Sequence, residues 1–291
     1  MSQAEGGVRA LWKSKIKFAF LIPAVVWVLI FTIFPLIYSL RMSFFNIRIG
    51  QGDVFIGLTN FARVFTNEQA RSAALVTLKI VVVAVAVELV LGLALAVLFN
   101  RVMPARGLLR TILTMPLFAT PIAIGYLFFT IFYEEGGLIN GLIPWKVPWL
   151  SDPGLAALSI SMVDIWQWTP FCFLVFLAAL QGLSDELYEA AMIEASSGWQ
   201  IFRYITLPLI QPTIVIVLLL RLAEALKLFD IPFSLTGGGP GTATQVYSLF
   251  TYRTGLRFFD LGFASALSYV MLVVVMIIVS FFFRHLRQIY D

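Results

Sequence analysis

The chain has 291 residues, 60% of them hydrophobic and only 12% charged, with a net charge of +4. So apolar a composition excludes a soluble domain of this length and marks an integral membrane protein. The basic residues stand mostly beside apolar runs rather than in one patch, which fits membrane orientation and not a nucleic-acid interface. A single cysteine, Cys172, and a single histidine, His285, exclude an intrachain disulfide framework, a multi-cysteine metal site and a histidine cluster.

In chain order, six apolar stretches are long enough to cross about 30 Å of hydrocarbon as helices of roughly 20 residues. They are 18–40, 75–99, 108–133, 155–180, 207–231 and 262–283. The first follows Arg9, Lys13, Lys15 and Lys17 and so resembles a signal peptide. Its apolar run is too long for that and lacks a small-residue cleavage site, so it reads as a retained helix. An even number of spans puts both termini on one side. On that side stand Arg9, Lys13, Lys15, Lys17, Arg101, Arg106, Arg110, Arg203, Arg284 and Arg287, ten against the seven of Arg41, Arg48, Arg63, Arg71, Lys146, Arg253 and Arg257. The densest charge lies in the N-terminal tail and the short RVMPARG loop, which places both termini in the cytoplasm. Connections 41–74, 134–154 and 236–261 then lie outside, and none has the size of a separate domain. The expectation is therefore an all-α membrane protein with a single transmembrane domain over 1–291. The GGGPG run, Gly237 to Gly241, lacks a following Gly-Lys-Ser/Thr and reads as a turn rather than a phosphate cradle.

Between the fourth and fifth stretches lies EAAMIEASSGWQIFRYITLPLIQP, Glu189 to Pro212, a polar amphipathic segment flanked by apolar spans. Ser184 can cap a first short helix, with Asp185 and Glu186 complementing its dipole and Ser196, Ser197 and Gly198 ending it. A second is expected from near Trp199 to just before Pro208. Ala190, Ala191 and Ala195 allow close approach of another protein, while Leu187 and Ile193 offer apolar contact. An interfacial helix lying on lipid headgroups fits the same composition.

This segment resembles the EAA loop of ABC importer permeases, specifically the carbohydrate-uptake class that includes maltose and glycerol-phosphate permeases. The resemblance rests on Glu189-Ala190-Ala191, Trp199-Gln200 and Ile205-Thr206-Leu207-Pro208, with IGLTNFARVF at 56–65 and FDIPFSLTGGGPG at 229–241. Two positions depart from the pattern: Ala195 stands where the family usually has glycine, and Glu194 where aspartate is commoner. Gly198 can relax the turn instead.

The resemblance implies a type I importer permease with six transmembrane helices, in a bacterial cytoplasmic membrane and paired with a second, homologous permease subunit. The loop 181–206 would be the coupling helix, docking in an ATP-binding cassette subunit through Glu189, Ala190, Ala191, Glu194, Ala195, Gly198 and Trp199. Two such subunits would bind the ATP and Mg, this chain holding no cofactor or metal and catalysing nothing. A periplasmic or extracellular sugar-binding protein would deliver the ligand. The absence of a Walker A motif fits this division of labour.

Polar residues inside spans are costly and normally face a bundle interior or a watery cavity. Asp164, Gln167, Trp168 and Phe171 follow the i, i+3, i+4, i+7 spacing of one helical face, an aromatic platform beside hydrogen-bonding groups that suits a sugar. The fifth stretch carries Arg221, Glu224 and Lys227, with Ala225 and Leu228 on the same face. Counting from the EAA motif places Asp164, Gln167, Trp168, Phe171, Arg221, Glu224 and Leu228 at the positions of ligand contacts in maltose-type permeases. The charges also fit internal neutralisation, Arg221 with Glu224 and Glu224 with Lys227, the two cations with Glu224 and Asp164, or pairing with the partner permease. Alternatively, Arg221 and Lys227 read an anionic sugar derivative, sulfonated, phosphorylated or acidic. Glu88 reads as a structural hydrogen-bonding residue. A proton-coupled secondary carrier relaying through Glu88, Asp164 and Glu224 is a further reading, and it would need no ATPase.

Overall fold

The computed structural model describes residues 20–48, 50, 53–101, 104–194 and 197–290. Its main helices are α1 (Phe20–Ser43), α2 (Glu68–Phe99), α3 (Arg106–Phe118), α4 (Pro121–Phe132), α5 (Pro153–Gln181), α6 (Asp185–Glu194), α7 (Gly198–Ala225) and α8 (Leu261–Tyr290). Among the described residues five helices, α1, α2, α5, α7 and α8, are long and apolar enough to cross a membrane, and α3 with α4 makes a sixth span if that bent pair is counted as one. The described residues fall into two compact units, one reaching to Val64 and including Thr254–Val270, the other Phe65–Arg253 with the chain from Met271 onward.

In the first unit α1 buries no side chain along its apolar stretch, as a helix surrounded by lipid can afford. A short antiparallel pair follows, with Phe45 opposite Phe55 and Asn46 opposite Val54. The buried Asn60 amide donates to the carbonyls of Ser43 at 3.0 Å and Phe45 at 2.9 Å, satisfying groups that no regular element would use. Asp260 Oδ2 accepts from Arg63 at 2.8 Å and Arg48 at 3.1 Å, and the Arg63 guanidinium lies 3.9 Å from the Phe263 ring centre. The IGLTNFARVF string thus supplies a structural clamp through Asn60 and Arg63. A Cβ on Gly262 would fall 2.1 Å from the Phe45 carbonyl oxygen, so only glycine lets this backbone come so close.

In the second unit α2 and α5 lie side by side. The Asn67 side chain caps α2 by accepting from the Ala70 N–H at 2.9 Å, and Asp152 caps α5 by accepting from Gly154 and Leu155 N–H at 2.9 and 2.8 Å. Pro153 stands in the first turn of α5, where its missing N–H costs nothing. The two helices touch at Gly92, where a Cβ would come 2.5 Å from Cys172 Cβ. Cys172 is buried in that contact. On one side of this crossing Ile80, Ile124, Ile160, Val163, Ile231 and Leu235 form a core. On the other Phe99, Phe173, Phe176, Ile210 and Val217 pack together, with the Phe99 and Phe173 rings edge to face at 5.2 Å. Beyond α4, the carboxylate of Glu134 accepts from the Ser151 hydroxyl and from the N–H groups of Leu150 and Ser151. Slight burial pushes this carboxyl up, but the three hydrogen bonds outweigh it and hold the group below the usual carboxylate range.

Three expectations from the sequence need correction. The third apolar stretch, 108–133, is not one straight helix but is bent by 102° between Phe118 and Pro121. Pro121 forces Thr120 out of the helical region, to φ −70° and ψ 136°, and Pro116 cannot donate inside the preceding turn. Conversely, the helix expected to stop before Pro208 runs on from Gly198 to Ala225. A wide turn over Phe202–Thr206, in which Leu207 N–H donates to the Phe202 carbonyl, relieves the clash Pro208 would make with the carbonyl four residues back. Ser197 acts as the N-cap of this helix, its Oγ accepting from Gln200 N–H at 3.4 Å, instead of ending the previous one.

Orientation follows from charge bias alone and is open to a direct check. Gly238 sits at φ +88°, where a cysteine would be strained, so the label for the 236–261 connection belongs at the exposed Thr242. Thr242→Cys should react with a membrane-impermeant maleimide only from outside, and Tyr204→Cys, on the exposed ring position beside the EAA motif, only from the cytoplasmic side. The opposite pattern would reverse the topology.

Candidate functional site

A buried ion cluster joins three helices of the second unit. Arg221 of α7 donates from Nε to Glu88 Oε2 at 2.6 Å and from Nη2 to Glu88 Oε1 at 2.9 Å, and the same Nη2 reaches Asp164 Oδ2 at 3.0 Å. Glu88 comes from α2 and Asp164 from α5, and all three residues are 2% exposed or less. A guanidinium in so dry a place persists only because its fork is matched by a carboxylate, and removing one partner of such a pair costs about 3–5 kcal/mol. The guanidinium also lies over the Trp168 ring at 4.5 Å. Of the pairings expected from the sequence, Arg221 with Glu224 is not formed, whereas Glu224 with Lys227 and a cation on Asp164 are. Glu224 does not neutralise Arg221 but pairs with Lys227 at 2.9 Å, and both of those side chains are more than half exposed. Glu88, read as a structural hydrogen-bonding residue, is the bidentate partner of the buried cation.

Beside this cluster opens a cavity of about 190 Å³. Eight of the nine sequence candidates line it: Asp164, Gln167, Trp168, Arg221, Glu224, Ala225, Lys227 and Leu228. Phe171 does not. It lies one helical turn beyond Gln167, about 6 Å along the axis, and meets Trp168 edge to face at 6.3 Å. The wall is completed by Pro121, Phe229, Asp230 and Ile231. Sequence reasoning passed over Asp230, although a carboxylate inside the apolar FDIPFSL run was a visible signal. The break after α3 also serves this wall: the Gln167 amide donates to the Ala119 carbonyl freed by the bend, at 3.4 Å. Gln167 Oε1 is buried and has no hydrogen-bond partner among the described residues. A larger groove of about 810 Å³, between α2, α3 and α5, is lined mainly by apolar side chains such as Leu91, Ile112, Met115 and Trp166, with Thr169 but no charged group, and suits a hydrophilic ligand poorly. Among the described residues there is no cluster of histidine, cysteine, aspartate or glutamate that could hold a metal ion.

The EAA segment forms α6, Asp185–Glu194, and the start of α7. Glu189 is exposed, as are Leu187, Met192 and Trp199. Trp199 packs on Phe202 at 5.5 Å, and the Thr206 hydroxyl donates to the Tyr188 hydroxyl at 3.3 Å, tying the two helices together. Gly198 opens α7 with open space around it. Ala190, Ala191 and Glu194 lie within α6, whereas Ala195 lies outside the described residues.

Residues 88–289 match the model of the binding-protein-dependent transport system inner membrane component. The chain belongs to that family. It is a multi-pass permease of the inner membrane with the type I ABC importer fold. It is 34% identical to the trehalose/maltose transport system permease protein MalF of Thermococcus litoralis over 91% of both chains. It is 32% identical to the sulfoquinovosyl glycerol transport system permease protein SmoG of Agrobacterium fabrum, covering 92% of this chain and 89% of that one. Among solved structures it resembles a chain of a bacterial alginate ABC transporter in complex with an alginate pentasaccharide-bound periplasmic protein, with a TM-score of 0.85, 29% identity and 97% of each chain covered.

The ion cluster gives a stability prediction that separates this pairing from the one expected by spacing. Arg221→Gln should leave two buried carboxylates and lower the stability of the detergent-solubilised complex by on the order of 3–5 kcal/mol, and adding Glu88→Gln and Asp164→Asn should restore most of it. Glu224→Gln, which breaks only an exposed pair, should cost less than about 1 kcal/mol. Thermal unfolding of the three purified variants beside the unsubstituted complex checks all three values.

Proposed function

We propose that this chain is one of two permease subunits of an ATP-driven importer that moves a sugar or sugar derivative into the cytoplasm by alternating access. The observation that carries the reading is the cavity beside Arg221, where one aromatic face, a buried amide and several carboxylates converge within a membrane-spanning unit. Sugars are held by such stacking surfaces and by acceptors for their hydroxyls. The trehalose/maltose and sulfoquinovosyl glycerol relatives support a saccharide ligand. Asp164, Gln167, Trp168, Arg221, Glu224, Ala225, Lys227 and Leu228 form the substrate path in this reading, with Phe171 buttressing Trp168.

The partners are a second permease subunit, two ATP-binding cassette subunits that hold ATP and Mg, and an external sugar-binding protein. The chain itself catalyses no reaction. Loop 181–206 is the coupling element, with Glu189, Ala190, Ala191, Glu194, Ala195, Gly198 and Trp199 at the ATPase surface. Exposed Leu187, Met192 and Trp199 support this, since apolar side chains on a polar connection fit a protein groove. So does the continuity of α7, which runs unbroken from Trp199 to Arg221, roughly 33 Å at 1.5 Å per residue. A movement at the coupling surface thereby reaches the cavity through one rigid element.

Glu189→Lys and Trp199→Ala should leave the complex assembled but lower both sugar uptake and substrate-stimulated ATP hydrolysis about tenfold or more in proteoliposomes, because the docking helix meets its groove with reversed charge or without its aromatic anchor. Uptake and coupled hydrolysis at the unsubstituted rate in both variants would remove the coupling assignment.

A further inference from the structure

The cavity is lined by five ionisable side chains, and their balance bears on which sugars it accepts. Arg221 and Lys227 face Asp164, Glu224 and Asp230, with Glu88 behind Arg221. Both cations are already paired with carboxylates. The Nε and Nη2 edge of Arg221, which would grip a carboxylate or sulfonate through two parallel bonds, is already spent on Glu88, and Nη2 also serves Asp164. Trp168 covers one face of the guanidinium. Lys227 is held by Glu224, and Asp230 forms no ion pair among the described residues. Carboxylates therefore outnumber cations, and they still do if Glu88 and Asp164 share one proton.

An anionic ligand would meet a lining in which carboxylates outnumber cations: to grip the Nε and Nη2 edge of Arg221 it would have to displace Glu88, and at the exposed Lys227 it would sit beside Glu224. An uncharged ligand pays neither cost. Its hydroxyls can donate to the carboxylates of Asp230 and Glu224 on the cavity wall. We propose that this cavity takes uncharged saccharides and excludes uronate, phosphate and sulfonate sugars, with Glu224, Asp230 and the carboxylates around Arg221 setting that selectivity. The proposal rests on reading the cavity as the sugar path. It also separates this chain from the alginate importer that it resembles in fold, whose cargo is an acidic polysaccharide.

Leu228→Cys places a thiol on the cavity wall, and Cys172, buried, does not compete for reagent. In the complete reconstituted importer, a cationic methanethiosulfonate should modify that thiol about tenfold faster than an anionic one after correction for intrinsic reactivity, as expected for focusing by a cleft in which carboxylates outnumber cations. Glu224→Gln and Asp230→Asn should each narrow the ratio. During turnover with the binding protein, maltose or trehalose should slow the modification, and a uronate disaccharide should not. An anionic reagent that reacts as fast as the cationic one, a ratio unmoved by both substitutions, or protection by the uronate would overturn the proposal. A ratio as expected, with protection by no saccharide and uptake of none, would instead overturn the sugar-path reading and the proposal along with it.

Discussion

A guanidinium buried within a membrane-spanning bundle is the constraint on which the rest of this structure depends. Arg221 cannot snorkel to either interface from its place in α7, so its charge has to be met where it stands. The partners come from two other helices, Glu88 from α2 and Asp164 from α5, and bidentate geometry fixes both the depth and the rotation of all three. Close approach is therefore required of α2 and α5, and Gly92 against Cys172, one turn beyond Glu88, provides it. A cluster that is worth little as net stabilisation against an apolar replacement can still specify register, because each mismatched arrangement leaves a charge unpaired.

The cavity follows from a second departure from regular structure. Non-helical backbone at membrane depth is tolerated where protein or a water-lined space can satisfy its polar groups. The bend between α3 and α4 frees the Ala119 carbonyl, and Gln167 reaches it from α5. Pro121 then takes its place in the cavity wall opposite residues of α5 and α7. The bend and the ion cluster thus meet at one place, a polar recess inside an otherwise apolar unit.

The connection between that recess and the polar EAA segment is α7 itself. Its wide turn at Phe202–Thr206 lets the helix pass Pro208 without breaking, so the chain gains a continuous rod where the proline alone would signal a stop. Trp199 at one end is exposed, as are Leu187 and Glu189 of the preceding α6, while Arg221 near the other is almost wholly enclosed.

The sequence by itself determined whatever depends on run length and local chemistry. The membrane class, the positions of the apolar stretches, the polar EAA segment between two of them, and the shared face of Asp164, Gln167 and Trp168 were all legible, because hydrophobic length and helical period are one-dimensional properties. Tertiary structure decided the partners of Arg221. Glu224, three residues from Arg221, was the neighbour that spacing offered, yet the partners are Glu88, 133 residues away, and Asp164, 57 residues away. Nothing local marks such a pairing, since it arises only when packing buries the cation and leaves the nearer carboxylate in the open with Lys227. The bend at Pro121, the continuity through Pro208 and the place of Asp230 in the wall were hidden for the same reason: a proline limits the local dihedrals, but packing and the turn around it decide whether a helix ends, bends or runs on.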